Sequence, residues 1–197
     1  IYVYDNNSDD NTYMYAEREV ATVRKEVNQG KGNVVRRMFA DIDADIYIIV
    51  DGDMTYDASV APSMVEKLIS ENLDMVNCAR IETAKESYRS GHRLGNYLIS
   101  FTVNSIFGKN IRDGLSGYRV FSRRFVKTFP AHSKGFDIET ELTVHSLEMR
   151  LPSAEIETDY FPRPEGSISK LSTYKDGMRI MLTISKLFFS EKPLIAF

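Results

Sequence analysis

Ile46-Tyr47-Ile48-Ile49-Val50-Asp51-Gly52-Asp53-Met54-Thr55-Tyr56-Asp57 decides the reading of the fold. The first five residues form an unbroken apolar run, the pattern of a strand buried on both faces of a parallel sheet. The run ends in two carboxylates, Asp51 and Asp53. Clustered like charges at a buried strand end repel each other and lose hydration. A divalent cation holding a diphosphate offsets that cost, since Mg²⁺ and Mn²⁺ take oxygen ligands from one or two carboxylates plus substrate phosphate. Gly52 removes a side chain where a ligand must come close. An ordinary Asp-Gly turn at a strand end gives the same three letters, so the neighbouring sequence has to arbitrate.

Working outward, the chain alternates strand and helix signals. Ile1 to Tyr4 is a short β-rich run ending at Asp5-Asn6-Asn7-Ser8, and Tyr13 to Val23 has helical character. A helix opens at Gly30-Lys31-Gly32 and runs to about Ile42. After the strand at 46–51 come a helix over Ser59–Ser70 and a strand over Asp74–Ala79. This alternation predicts an α/β fold with a mostly parallel sheet flanked by helices. Ligands of such sheets collect at the carboxyl ends of strands, where Asp5, Asp51, Asp53 and Arg80 all fall.

The second half reads differently. Glu82 to Gly91 is polar and aperiodic, the pattern of a loop. Arg93 to Phe107 is amphipathic, suiting either a core-facing helix or one lying at a membrane interface. Asp113-Gly114-Leu115-Ser116-Gly117 is a glycine-flanked turn leading into a short strand at Tyr118–Phe121. A helix opens at Gly135–Leu142, where the early acids Asp137 and Glu139 suit the helix dipole. Ala154–Tyr160 is a strand, Pro162–Ser172 a basic loop, and Tyr174–Phe189 a helix followed by a break at Glu191-Lys192-Pro193.

Composition narrows the classes. The 197 residues suffice for one domain with a sizeable core. The single cysteine, Cys78, rules out an internal disulfide and reads as a small core residue. No apolar run approaches the length that spans a bilayer, and no repeat appears. The net charge of −3 hides an asymmetry: residues 1–60 carry 6 Lys/Arg and 12 Asp/Glu, residues 80–124 carry 9 and 3. The basic stretch suits a phosphorylated or membrane-surface partner, or simply a solvated face. No nucleic-acid motif appears in this acidic chain, so nucleic acid is not an expected partner. His92, His132 and His145 lack ligand spacing and read as structural.

Taken together these stretches resemble glycosyltransferase family 2, in particular enzymes similar to dolichyl-phosphate mannosyltransferase and bacterial polyprenyl-phosphate glycosyltransferases. The matching pieces are Asp5-Asn6-Asn7-Ser8-Asp9, Gly30-Lys31-Gly32-Asn33, Asp51-Gly52-Asp53, Asp113 through Arg119, Gly135-Phe136 with Glu141, and Arg163…Gly166…Ser169-Lys170-Leu171. The family's opening strand with its P-x-[YF]-N-E segment has no counterpart here. A first strand–helix unit is therefore expected to be missing from this chain. The apolar Leu194–Phe197 reads either as the start of a further hydrophobic segment or as a plain C-terminus.

The resemblance implies a GT-A fold forming one catalytic domain over 1–197, with residues 1–80 binding the nucleotide sugar and 81–197 the acceptor. It implies metal-dependent transfer, with Mg²⁺ or Mn²⁺, from a nucleoside-diphosphate sugar to a polyprenyl phosphate at the cytoplasmic face of a membrane. Asp51 and Asp53 are the implied metal ligands. Asp5, Lys31, Asp51 and Arg80 are the implied donor contacts. Ser116, Arg119, Arg163, Ser169 and Lys170 are the implied acceptor or phosphate contacts. Asp113 and Arg163 are the implied catalytic pair, although Asp113 before Gly114 is also an ordinary turn former and a phosphate acceptor scarcely needs a base. A nucleotidyltransferase and a non-catalytic nucleotide-sugar-binding module are the alternatives.

Overall fold

The computed structural model describes residues 1–19, 22–82, 99–106, 111–167 and 172–191. In chain order the elements are β1 (Tyr2–Asp5), α1 (Thr12–Arg18), β2 (Thr22–Lys25), α2 (Lys31–Asp41), β3 (Ile46–Ile49), α3 (Ala61–Ser70), β4 (Met75–Glu82), α4 (99–106), β5 (Arg119–Ser122), α5 (Arg123–Thr128), α6 (Ile138–Glu148), β6 (Ser153–Tyr160) and α7 (Thr173–Glu191). The loop expected over 82–91 lies almost wholly outside the described residues, as do the first residues of the helix expected over 93–107.

The strands form two sheets. β1 and β2 pair in parallel, and the other four follow the order β3-β5-β4-β6. β5 runs antiparallel to both β3 and β4, while β6 is parallel to β4. Three of the four strands therefore point the same way, and their carboxyl ends share one edge with the amino end of β5. That edge receives Asp51, Arg80, Arg163 and the 113–117 turn.

Two expectations are corrected. The 46–50 run is not buried on both faces in a parallel sheet: among the described residues β3 ends its sheet and pairs only with antiparallel β5, and Ile48 is 45% exposed. The helix expected over 13–23 stops at Arg18, and β2 begins at Thr22. Four residues with only intermediate and exposed positions carry no alternation strong enough to signal a strand, and pairing with β1 decides the matter.

Three cores hold the layers. Phe39, Tyr47, Phe121, Phe125 and Phe129 join α2 and α5 to one face of the four-stranded sheet. Met64 and Leu68 of α3 cover the other face, against Val76, Cys78 and Val120. Ile99 and Val103 of α4, Val144 and Leu147 of α6, and Ile180 and Ile184 of α7 form the third. Cys78 is fully buried, as its sequence context predicts, and burial pushes its thiol up to about 12.

Candidate active site

The turn after β3 starts with Asp51, whose Oδ1 lies 2.5 Å from Lys31 Nζ. The same Nζ lies 2.5 Å from Glu139 Oε1. Lys31 reaches this point because the α2 N-terminus is pressed against the segment before α6. A Cβ on Gly32 would sit 2.2 Å from Ser133 O, and one on Gly30 would sit 2.1 Å from Lys134 O, so only glycine allows the approach. Burial works against the Lys31 charge, and the carboxylates of Glu139 and Asp51 overcome it, raising the ammonium above its ordinary range.

Asp53 is fixed by its own turn. Met54 adopts a left-handed φ of 61°, which folds Thr55 back so that its N–H and hydroxyl donate to Asp53 Oδ1 at 3.2 and 2.5 Å. Asp53 Oδ2 faces Arg163 Nη2 at 2.6 Å. The arginine is carried there by a short zipper: Phe161 N–H donates to Thr55 O, and Tyr56 bridges Tyr160. The chain segments bearing Asp53 and Arg163 are thus tied together by backbone hydrogen bonds.

Arg80, near the end of β4, forms a two-pronged pair with Asp113: Nε to Oδ2 at 2.6 Å and Nη2 to Oδ1 at 2.8 Å. Its guanidinium also stands 5.3 Å from the Tyr160 ring. Asp113 is 4% exposed, and its Oδ1 also accepts from Leu115 N–H. Asp5, 3% exposed, ends β1 and accepts from Ser8 N–H. Its neighbour Asn6 accepts from Gly30 N–H at 2.7 Å, which joins the β1 end to the α2 start beside Lys31.

The structure therefore brings together Lys31, Asp51, Asp53, Arg80, Asp113 and Arg163 at one sheet edge. Two further expected contacts differ. Ser116 and Arg119 are 0% and 2% exposed, and both are engaged inside the fold. The Arg119 guanidinium donates to the carbonyls of Ser116, Gly114 and Glu139 and to Thr143 Oγ1. It pins the 113–117 turn onto α6 and is spent there, rather than contacting a phosphate. Ser116 Oγ lies 3.4 Å from Tyr56 Oη and accepts from Tyr118 N–H. Ser169 and Lys170 lie outside the described residues.

Two residues of the cluster were not singled out from the sequence as site members. Glu139 read as a helix-dipole acid, and Tyr56 carried no reading of its own. Tyr56 is 8% exposed, receives the Gly117 N–H at 2.8 Å, and lies within electrostatic reach of Arg80, Glu139, Asp113 and Asp51. Burial raises its phenol well above the ordinary value.

The donor set suits a divalent cation shared with a ligand. Among the described residues no group of three or more His, Cys, Asp or Glu side chains forms a cage. Asp51 and Asp53 would supply two carboxylates, the kind of oxygen donors through which Mg²⁺ and Mn²⁺ generally bind alongside phosphate. Asp51 Oδ2 occupies the space where a Cβ on Gly117 would stand, at 2.2 Å, so the turn is shaped around that oxygen.

The sequence profile described as glycosyl transferase family 2 matches residues 1–129. Glycosyltransferase AglJ of Haloferax volcanii is 34% identical over 199 residues, covering 100% of this chain and 65% of AglJ. Protein RfbJ of Shigella flexneri is 57% identical over 94 residues, covering 47% of this chain and 73% of RfbJ. Of an uncharacterized Shigella flexneri protein, 60% identical over 83 residues, the alignment spans 51% of the length. Among solved structures, glucosyl-3-phosphoglycerate synthase from Mycobacterium tuberculosis in complex with Mn²⁺, uridine-diphosphate-glucose and phosphoglyceric acid superposes with a TM-score of 0.74. It is 20% identical and covers 94% of this chain and 67% of that one, a likeness of GT-A fold.

Proposed function

The chain belongs to glycosyl transferase family 2, and from that premise we propose that it transfers a sugar from a nucleoside-diphosphate sugar to a polyprenyl phosphate at the cytoplasmic face of a membrane. The observation that carries the donor half is the convergence of Asp51, Asp53, Lys31 and Arg163 at one sheet edge. Asp51 and Asp53 hold Mg²⁺ or Mn²⁺, which when bound neutralises charge developing on the leaving diphosphate. The solved complex of the mycobacterial synthase with Mn²⁺ and uridine-diphosphate-glucose supports that cofactor class. Asp5 accepts hydrogen bonds from the base or ribose. Lys31 acts on the donor side through Asp51, and Arg80 through Asp113. Arg163, paired with Asp53 at the same edge, would bind phosphate oxygens through its planar fork, a geometry suited to guanidinium. For Ser169 and Lys170, which lie outside the described residues, the acceptor-phosphate role rests on the family resemblance alone. An acceptor phosphate oxygen attacks the sugar C1, the C1–O bond to the diphosphate breaks, and the nucleoside diphosphate departs. The attacking oxygen is already anionic, so Asp113 orients rather than deprotonates.

Support for a lipid acceptor comes from α7. Its inner face packs Ile180 and Ile184, yet its outer face leaves Met178 and Leu182 64% and 63% exposed, with Phe189 beyond. A helix apolar on its outer side suits an interface lying beside a bilayer. No helix among the described residues is long and apolar enough to cross one. The basic residues of the stretch 80–124 other than the inward-paired Arg80 and Arg119 would add attraction to anionic head groups.

The test is transfer of labelled sugar from UDP-glucose and, in parallel, GDP-mannose, with Mn²⁺ and undecaprenyl phosphate in detergent. Label entering the lipid extract supports the proposal. Label passing to 3-phosphoglycerate and not to lipid overturns the lipid acceptor while leaving sugar transfer standing.

A further inference from the structure

Three charges meet where α2, β3 and α6 converge, and the third is the least expected. Glu139 lies 108 residues from Lys31 in sequence, is 7% exposed, and shares the Lys31 ammonium with Asp51. Its place is fixed by backbone. The Glu139 carbonyl accepts from Arg119 and from Thr143 Oγ1, and the Glu141 carboxylate binds the N–H groups of His132 and Ser133, the segment that abuts Gly30 and Gly32. Lys31, by contrast, reaches the meeting point on a flexible four-carbon stem. The Lys31 ammonium is therefore divided between two carboxylates rather than given wholly to Asp51.

We propose that Glu139 is a positioning residue for the Asp51 carboxylate: it shares Lys31, holds Asp51 beside Gly117, and leaves that carboxylate the net charge with which to bind a divalent cation and its diphosphate. This rests on the donor-site reading of Asp51 and Asp53 given above. Groups behind metal ligands act this way generally, fixing the ligand and tuning its charge.

The experiment is calorimetric titration of UDP, and of GDP in parallel, in the presence of Mn²⁺, on four proteins: wild type, Glu139→Gln, Lys31→Met and the double variant. Glu139→Gln is expected to weaken Mn²⁺-dependent binding about tenfold. On the Lys31→Met background the same change shifts affinity by no more than about twofold, because the residue through which Glu139 acts is gone. A simple packing role predicts instead the same loss on both backgrounds, and that result overturns the proposal, as does undiminished binding by Glu139→Gln. If Glu139→Gln fails to fold, the double variant against Lys31→Met decides alone: affinities within about twofold support the proposal and a larger loss refutes it. Absence of Mn²⁺-dependent nucleotide binding in the wild type overturns the donor-site reading and this inference together. Wild-type binding with an unaffected Glu139→Gln overturns this inference only.

Discussion

Arg163 Nη2 stands 2.6 Å from Asp53 Oδ2, so the arginine of the loop after β6 covers the carboxylate that the D-G-D turn presents. The pair is only partly buried, at 34% and 17% side-chain exposure. Its strength is therefore modest, roughly 1 kcal/mol. Removing the arginine takes a competing cation from Asp53. We expect Arg163→Ala to tighten binding of Mn²⁺ alone by about fivefold while weakening binding of the Mn²⁺–UDP pair. Spin-resonance titration of Mn²⁺ checks the first, calorimetry the second. Equal Mn²⁺ affinity in both proteins means that Arg163 does not compete for Asp53.

Asp113 and Arg80 form a deeper pair, with side chains 5% and 14% exposed. Removing one partner of such a pair costs about 3–5 kcal/mol, because the other charge stays buried alone. Asp113→Asn is expected to lower the melting temperature by on the order of 10 °C. The Arg80→Met/Asp113→Leu double variant should recover much of that loss. Thermal melts of the three proteins give the answer. An unchanged melting temperature in Asp113→Asn would show that the pair contributes little to the fold.

How far the sequence reveals this arrangement varies with the kind of interaction. The placement of Asp51, Asp53 and Asp5 at or just after strand ends is legible because each follows an apolar run. Arg80 follows from the same logic, whereas Arg163 comes from the resemblance alone. Arg119 shows the limit: a basic residue after a glycine turn looks like a phosphate contact, and only its burial under α6 reveals a structural role. Glu139 was hidden for a related reason. An acid in the first turn of a helix is explained locally by the dipole, so nothing in the sequence calls for a partner 108 residues away. β2 escaped because a four-residue strand draws its stability from its neighbour rather than from its own pattern.

His145 provides a pH readout. It packs edge-on against Phe125 and Phe129, and its Nε2 lies 3.0 Å from Thr128 Oγ1. Burial lowers its pKa, and attraction to Glu141 opposes this only in part. The unfolded chain therefore takes up the proton first, at about pH 6.5. The contribution to stability is present above that pH and is lost as pH falls toward the depressed folded value. Replacing His145 by Gln should flatten the decline in melting temperature below about pH 6.5. Parallel curves for variant and wild type would show that His145 is protonated equally in both states.

The outer face of α7 is testable independently of catalysis. Leu182 and Phe189 are 63% and 52% exposed, so Leu182→Ser/Phe189→Ser should leave the melting temperature nearly unchanged. If this face meets a bilayer, the double variant should sediment less with phosphatidylglycerol vesicles at low salt than the wild type. Equal sedimentation would remove α7 from the membrane contact.

The proposed role of the Asp51/Asp53 turn is to bind a nucleoside diphosphate through a divalent cation. Calorimetric titration of UDP and GDP into wild type and Asp53→Ala, with and without Mn²⁺, tests it most directly. One nucleotide is expected to bind the wild type only when Mn²⁺ is present, and Asp53→Ala to lose that binding while melting within a few degrees of the wild type, roughly the shift of a surface change. Equal Mn²⁺-dependent affinity in the two proteins would contradict it.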